Sequence, residues 1–236
     1  MALARNYAIS FFDREWRVSG LWNEALHDAT TRNVAAAVGP PIIWQISSEA
    51  FADQDQTQAN RADLLISKLG TNPAGFWGVV NNPVLCFEAK KGPAPANANS
   101  TQWRDVRKQI ETWCDQSSGV DQGNPCWAVG AIGNFVKFWI YTTSIVGVAN
   151  QNQKSRMVPV TWDATANGGA GAPRLMWTAP DWRTANNMDQ YAALNYNDPV
   201  VPHILDWMLR HKWAEGGIPH PSVAAGAAGH VHQQAF

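Results

Sequence analysis

The chain has 236 residues, a length that suits one large domain or two small ones. Hydrophobic residues make up 45% and charged residues 16%, which excludes a disordered chain, and no window approaches about 18 consecutive apolar residues, which excludes a membrane-crossing helix. The formal net charge of −1 excludes strong nonspecific attraction of the whole chain to nucleic acid or anionic lipid. Charge is uneven along the chain: residues 61–113 carry seven basic and four acidic side chains, net +3. Thirteen tryptophans are the extreme figure, and each buried indole N–H needs a partner. Three cysteines, Cys86, Cys114 and Cys126, are odd in number, widely spaced and without a CxxC pair, so neither a disulfide framework nor a zinc site is expected. No apolar run precedes Asp13 and Arg14, and the expected location is intracellular, cytoplasm or nucleus, with reduced thiols.

Residues 7–37 carry Phe11, Phe12, Trp16, Leu21, Trp22, Leu26 and Val34 near helical spacing, closed by Gly39-Pro40-Pro41. Residues 42–46 read as a strand, 52–60 as a loop and 62–67 as a second strand. Residues 76–80 suit a short strand or turn, and Val84-Leu-Cys-Phe-Glu-Ala-Lys90 gives the strongest strand signal of this half. A Pro/Ala/Asn loop over 92–100 leads to an amphipathic helix over 102–116, with Ser100 or Thr101 as its cap. Trp103, Val106, Ile110, Trp113 and Cys114 form its apolar face, while Arg104, Arg107 and Lys108 are expected on the exposed side. Residues 127–132 and 135–141 form a hairpin around Gly133-Asn134. A strand is expected at 157–162, and a last helix runs from Asp198-Pro199 through Trp213 to Gly216-Gly217. One domain spanning 1–218 follows, with a core at about 15–141, an elaboration over 142–218 and a flexible tail at 219–236.

Chemistry concentrates where the strands end. Side chains alternate across a sheet, so Glu88 and Lys90 share a face while Leu85, Phe87 and Ala89 point into apolar packing. If the strand carrying Asp63 pairs beside them, two carboxylates and an ammonium converge. Two such carboxylates repel unless a cation lies between them. A hard divalent ion, Mg²⁺ or Mn²⁺, meets that need and suits phosphodiester chemistry. Gln102, Gln109 and Gln116 recur every seven residues beside the apolar helix face.

The order helix, strand, strand with Asp63, strand with Glu88-Ala-Lys90, helix with Gln109-Ile-Glu-Thr-Trp113, then hairpin, resembles the PD-(D/E)xK nuclease superfamily. The helix element is similar to the Gln-x-x-x-Tyr motif of nucleases in bacterial recombination helicases, with Trp113 in place of tyrosine, and Ala62 stands where proline is usual. The resemblance covers roughly residues 15–141. It implies an α/β fold with a restriction-endonuclease-like core (αβββαβ), a central mixed β-sheet flanked by helices. It also implies a metal held by Asp63, Glu88 and the Ala89 carbonyl, with Lys90 as catalytic lysine and Gln109 as a further site residue. An acid of the first helix completes the site, Glu24 first, Glu15 second, or Glu49 if its segment is helical. The function so implied is a metal-dependent nuclease acting on DNA or RNA, with no membrane partner. A plain strand-end salt bridge is the alternative for Glu88 and Lys90. With it goes a catalytically silent module of the same fold, binding nucleic acid, a partner protein or a second copy of itself.

Overall fold

Apolar residues recurring at helical spacing build the first helix, and they decide which side of the sheet it covers. In the computed structural model, which describes residues 2–36, 43–51, 61–71, 77–95, 100–116, 126–141, 157–163, 174–178, 193–213, 228–230 and 233–235, helix α1 spans Glu15–Ala36. Its Val18, Leu21, Trp22, Ala25, Leu26 and Ala29 are all buried, one stripe at i, i+3, i+4, i+7. Three strands follow: β1 (Ile43–Phe51), β2 (Arg61–Thr71) and β3 (Trp77–Lys90). Helix α2 (Thr101–Gln116) leads to β4 (Cys126–Ile132) and β5 (Phe135–Tyr141). The later elements are β6 (Met157–Asp163), β7 (Arg174–Thr178), β8 (Leu194–Asn195), α3 (Val200–Arg210), β9 (His211–Trp213), β10 (Ala228–His230) and β11 (Gln233–Ala235).

The main sheet runs β1-β2-β3-β4-β5-β6-β7-β10, with β8 beside β5. It is mixed and mostly antiparallel. Among the described strands only β3 and β4 pair in parallel, because the α2 crossover returns the chain to the same end of the sheet. Alternation splits the core in two. Leu64, Ile66, Leu85, Phe87, Ala89, Val129, Ala131 and Phe138 pack with α1 and α3 on one face. Leu65, Cys86, Cys126, Ala128, Trp139 and Tyr141 pack with Trp103, Val106, Ile110, Trp113 and Cys114 of α2 on the other. The result is an α/β arrangement of helices on both faces of the sheet.

The chain after residue 142 completes the α1 side. Val201, Ile204, Leu205, Met208 and Leu209 of α3 join that core, and Arg32 of α1 reaches Asp206 at 2.8 Å. Asp198 Oδ1 accepts the Val200 N–H at 2.9 Å and starts the helix. Two expectations are corrected here. The last helix stops at Arg210 instead of Gly216-Gly217, because His211–Trp213 pairs with Gln233–Ala235 as strand. The expected loose tail supplies two strands, Ala228–His230 against β7 and Gln233–Ala235 against β9. The loop expected at 52–60 lies outside the described residues, as does the whole of 142–156.

Trp22 departs from the rule that buried indoles find partners. It is fully buried, its N–H has no hydrogen-bond partner among the described residues, and its ring lies 5.7 Å from that of Phe87.

Gly130 sets how closely α2 lies on the sheet. A Cβ there would meet Val106 Cγ1 at 2.5 Å and Trp139 Cζ3 at 2.9 Å. Gly130→Val is expected to lower folding stability by about 1–3 kcal/mol or more, seen as a lower urea midpoint. An unchanged midpoint would show that α2 does not seat on β4 at this distance.

Candidate functional site

The last recorded backbone pair between β2 and β3 at this end is Leu64 with Phe87, preceded by Leu65 with Cys86. One step further the Asp63 side chain takes over: its Oδ2 accepts the Ala89 N–H at 2.7 Å. The carboxylate of Asp63 is thereby fixed against the residue next to Glu88. Glu88 is 4% exposed, and its Oε1 receives the Lys90 ammonium at 2.7 Å. Glu88 and Lys90 share a strand face through the pleat, so a buried acid and a half-buried ammonium meet two residues apart. The strand exit is clamped as well. Gly133 N donates to the Lys90 carbonyl at 2.9 Å and Gly92 N donates to the Phe12 carbonyl at 2.7 Å. Gly133 has φ +56°, the left-handed turn that lets it approach Gly92.

The electrostatics follow from this crowding. Burial, then the neighbouring Asp63 charge, push the Glu88 carboxyl up to about 7, and the Lys90 hydrogen bond and charge only partly offset this. For Lys90, burial works against the charge. Its bond to Glu88 and the charges of Glu88, Glu15 and Asp63 outweigh that and hold the ammonium above its ordinary value. Lys90 is therefore a cation near neutral pH, a donor and charge stabiliser and not a base.

The acid that α1 brings to Lys90 is Glu15, at 3.6 Å. Glu24 pairs with Arg5 at 3.3 Å instead. Nine helical positions separate these two acids, about two and a half turns, so they point to opposite sides of α1. Glu49 lies on the extended strand β1, which removes the helical setting its candidacy required. Gln109 and Gln102 line an open cleft of about 560 Å³ with Glu15, Lys90, Lys91, Asp105, Lys108 and Ile132. Ser100 Oγ accepts the Trp103 N–H at 3.3 Å and starts the helix that presents these amides. Trp113 is buried in the α2 core and packs there.

Two buried charges escaped the sequence reading. Arg107 was expected on the exposed face, yet it is 6% exposed and donates to Glu111 at 3.0 Å. Its position, four after Trp103 and three before Ile110, places it in the apolar stripe, a signal present in the spacing. Lys137 is buried on β5 with its ammonium 4.9 Å from the Trp103 ring centre. Glu88 pairs with Gly130, and Gly130 with Lys137, so acid, glycine and lysine form one row under α2. His203, on the exposed side of α3, stacks on Trp162 at 5.9 Å. The three cysteines are free and buried.

Asp63 and Glu88 offer the oxygen donors a hard divalent cation takes, and two carboxylates with water suffice for such an ion. Among the described residues no group of three His, Cys, Asp or Glu is arranged as a metal site. Here Lys90 supplies the positive charge that the two acids require, so an ion entering the site would share Glu88 with it. The donor set fits a two-carboxylate ion.

Comparison with protein-family models, with curated proteins and with solved structures finds no match. No helix among the described residues is long and apolar enough to cross a membrane.

The raised Glu88 value makes a pH prediction. A carboxyl that protonates more easily when folded contributes stability fully below about pH 4.5 and loses it as pH rises through about 7. The decline is on the order of 3 kcal/mol at most, at about 1.4 kcal/mol per pH unit. Urea unfolding at pH 5 and pH 8 should show this slope in the wild type and a flatter one in Glu88→Gln. Equal slopes would mean that Glu88 titrates as an ordinary carboxyl.

Proposed function

We propose that this chain is a divalent-metal-dependent nuclease of the restriction-endonuclease-like type, hydrolysing phosphodiester bonds of DNA or RNA with Mg²⁺ or Mn²⁺. The observation that carries this reading is the convergence of Asp63, Glu88 and Lys90 at the β2–β3 end, with Asp63 bonded to Ala89 at 2.7 Å and Lys90 to Glu88 at 2.7 Å. The element order α1-β1-β2-β3-α2-β4 supports it, as does the sheet order β1-β2-β3-β4 with a parallel β3–β4 pair. Both agree with the αβββαβ core that the motif resemblance implies.

In this reading Asp63 and Glu88, with the Ala89 carbonyl, hold the ion. When bound, the ion polarises a phosphate oxygen and lowers the pKa of its water. The residues of the chain do the rest. Lys90, kept protonated by Glu88 and Glu15, faces the charge that develops on the phosphoryl oxygens. Glu88, raised to about 7 without the ion, would give up its proton as the ion binds, so ion uptake is coupled to proton release near neutrality. Gln102 and Gln109 present amides along the cleft, and Lys91 and Lys108 add positive charge on its wall, suited to orienting a phosphodiester backbone.

A second reading keeps the fold without the chemistry, as a silent module that binds nucleic acid, a partner protein or its own copy. The near-zero net charge and the thirteen tryptophans favour it. One experiment separates the two. The purified chain is incubated with single- and double-stranded DNA and RNA in Mg²⁺ or Mn²⁺, alongside Asp63→Asn, Glu88→Gln and Lys90→Ala. The nuclease reading expects metal-dependent cleavage that falls by about 100-fold or more in each variant, as losing a charge-stabilising group does. It also expects calorimetric Mn²⁺ binding that is weakened in Asp63→Asn and Glu88→Gln but kept in Lys90→Ala. No cleavage and no Mn²⁺ heat would leave the silent module standing.

A further inference from the structure

Among the tryptophans whose side chains are described, most are buried and Trp44, Trp162 and Trp207 are half-buried, but Trp16 is 69% exposed. It adjoins Glu15, the residue that meets Lys90 at 3.6 Å and lines the cleft with it. Arg17 lies over the Trp16 ring at 5.1 Å and over Phe11 at 5.9 Å, and its guanidinium donates to the Ser10 carbonyl at 3.4 Å. Ile9, 79% exposed, and the exposed Arg14 belong to the same short stretch. The molecule thus presents an open aromatic face backed by a cation, one helical position from Glu15 of the cleft whose wall carries Lys90, Lys91 and Lys108 together with the acids Glu15 and Asp105.

We propose that Trp16 and Arg17 form a stacking platform for an unpaired base of single-stranded nucleic acid, whose backbone continues into the Lys90 cleft. The position of the backbone rests on the nuclease reading above. The ligand follows from the chemistry. A flat ring beside an arginine takes a base on its face and a phosphate on its cation, and every base has such a face. Paired bases are already stacked on their neighbours and cannot present theirs. Asp13 and Glu15 balance Arg14 and Arg17 in this stretch, so it is Arg17, held on the Trp16 ring, that meets a phosphate of the stacked nucleotide, whereas a purely apolar partner would have to desolvate all four charges.

The test is fluorescence anisotropy with short labelled single-stranded DNA, single-stranded RNA and duplex DNA, in EDTA and at low salt so that cleavage does not intervene. Wild type is expected to bind single strands more tightly than duplex. Trp16→Ala is expected to weaken single-strand binding by about 5- to 150-fold, the range that loss of one stacked base spans, while Trp16→Phe restores most of it and duplex binding changes little. Circular dichroism verifies that the exposed substitution leaves the fold intact. Equal single-strand binding by Trp16→Ala and wild type overturns the platform, as do a duplex preference or no nucleic-acid binding at all, the last pointing to a protein partner for this patch. The underlying reading fails separately. Trp16-dependent binding without any metal-dependent cleavage keeps the platform and removes the nuclease, whereas cleavage with a neutral Trp16→Ala removes only the platform.

Discussion

A buried carboxylate that cannot escape its neighbour organises this end of the molecule. Glu88 is held inside by the pleat of β3, and Asp63 is pinned beside it because its side chain satisfies the Ala89 N–H. Two acids this close in a poorly solvated place need positive charge, and Lys90 delivers it from two residues away on the same strand. Everything else at the site adjusts to that need. Glu15 reaches in from α1 toward the ammonium, and the backbone bonds from Gly133 and Gly92 keep the strand end from fraying.

The sheet explains why this arrangement can exist beside a well-packed core. Leu85, Phe87 and Ala89 at the end of β3 are committed to the α1 side, which leaves Cys86, Glu88 and Lys90 to face α2. There Cys86 continues the apolar packing, Glu88 begins the polar row, and Lys90 emerges into the cleft. Gly130 lets Val106 press against the sheet next to Glu88, and this close seating of α2 excludes water from one side of the acid. The same helix then turns Gln102 and Gln109 outward along the cleft. Packing and electrostatics are thus one design: the tight helix seat desolvates Glu88, and desolvation is the largest cause of its raised pKa.

Much of this was legible in the sequence. Residues Val84 to Lys90 alternate so plainly that the shared face of Glu88 and Lys90 follows from strand geometry alone. The Gly133-Asn134 turn and the apolar stripe of α2 were equally direct. What the sequence could not decide was three-dimensional register. Glu15 and Glu24 are both acids on one helix, and only the rotation of α1 against the sheet selects which meets Lys90. Arg107 was misjudged because charge was weighed above position, and its bond to Glu111 makes a buried stripe position tolerable. The end of α3 was misjudged because Gly216-Gly217 is a good local stop, whereas strand pairing of His211–Trp213 with Gln233–Ala235 is a long-range contact without a local signal.

We propose that Asp63 and Glu88 form one cation-demanding pair that Lys90 and a divalent ion share. A crystal soaked in Mn²⁺ and measured at the manganese edge tests it most directly. The account predicts an anomalous peak bonded to both carboxylates, with the Lys90 ammonium shifted from Glu88 Oε1. Manganese absent from this pair at saturating concentration, with Lys90 still seated on Glu88, would contradict it.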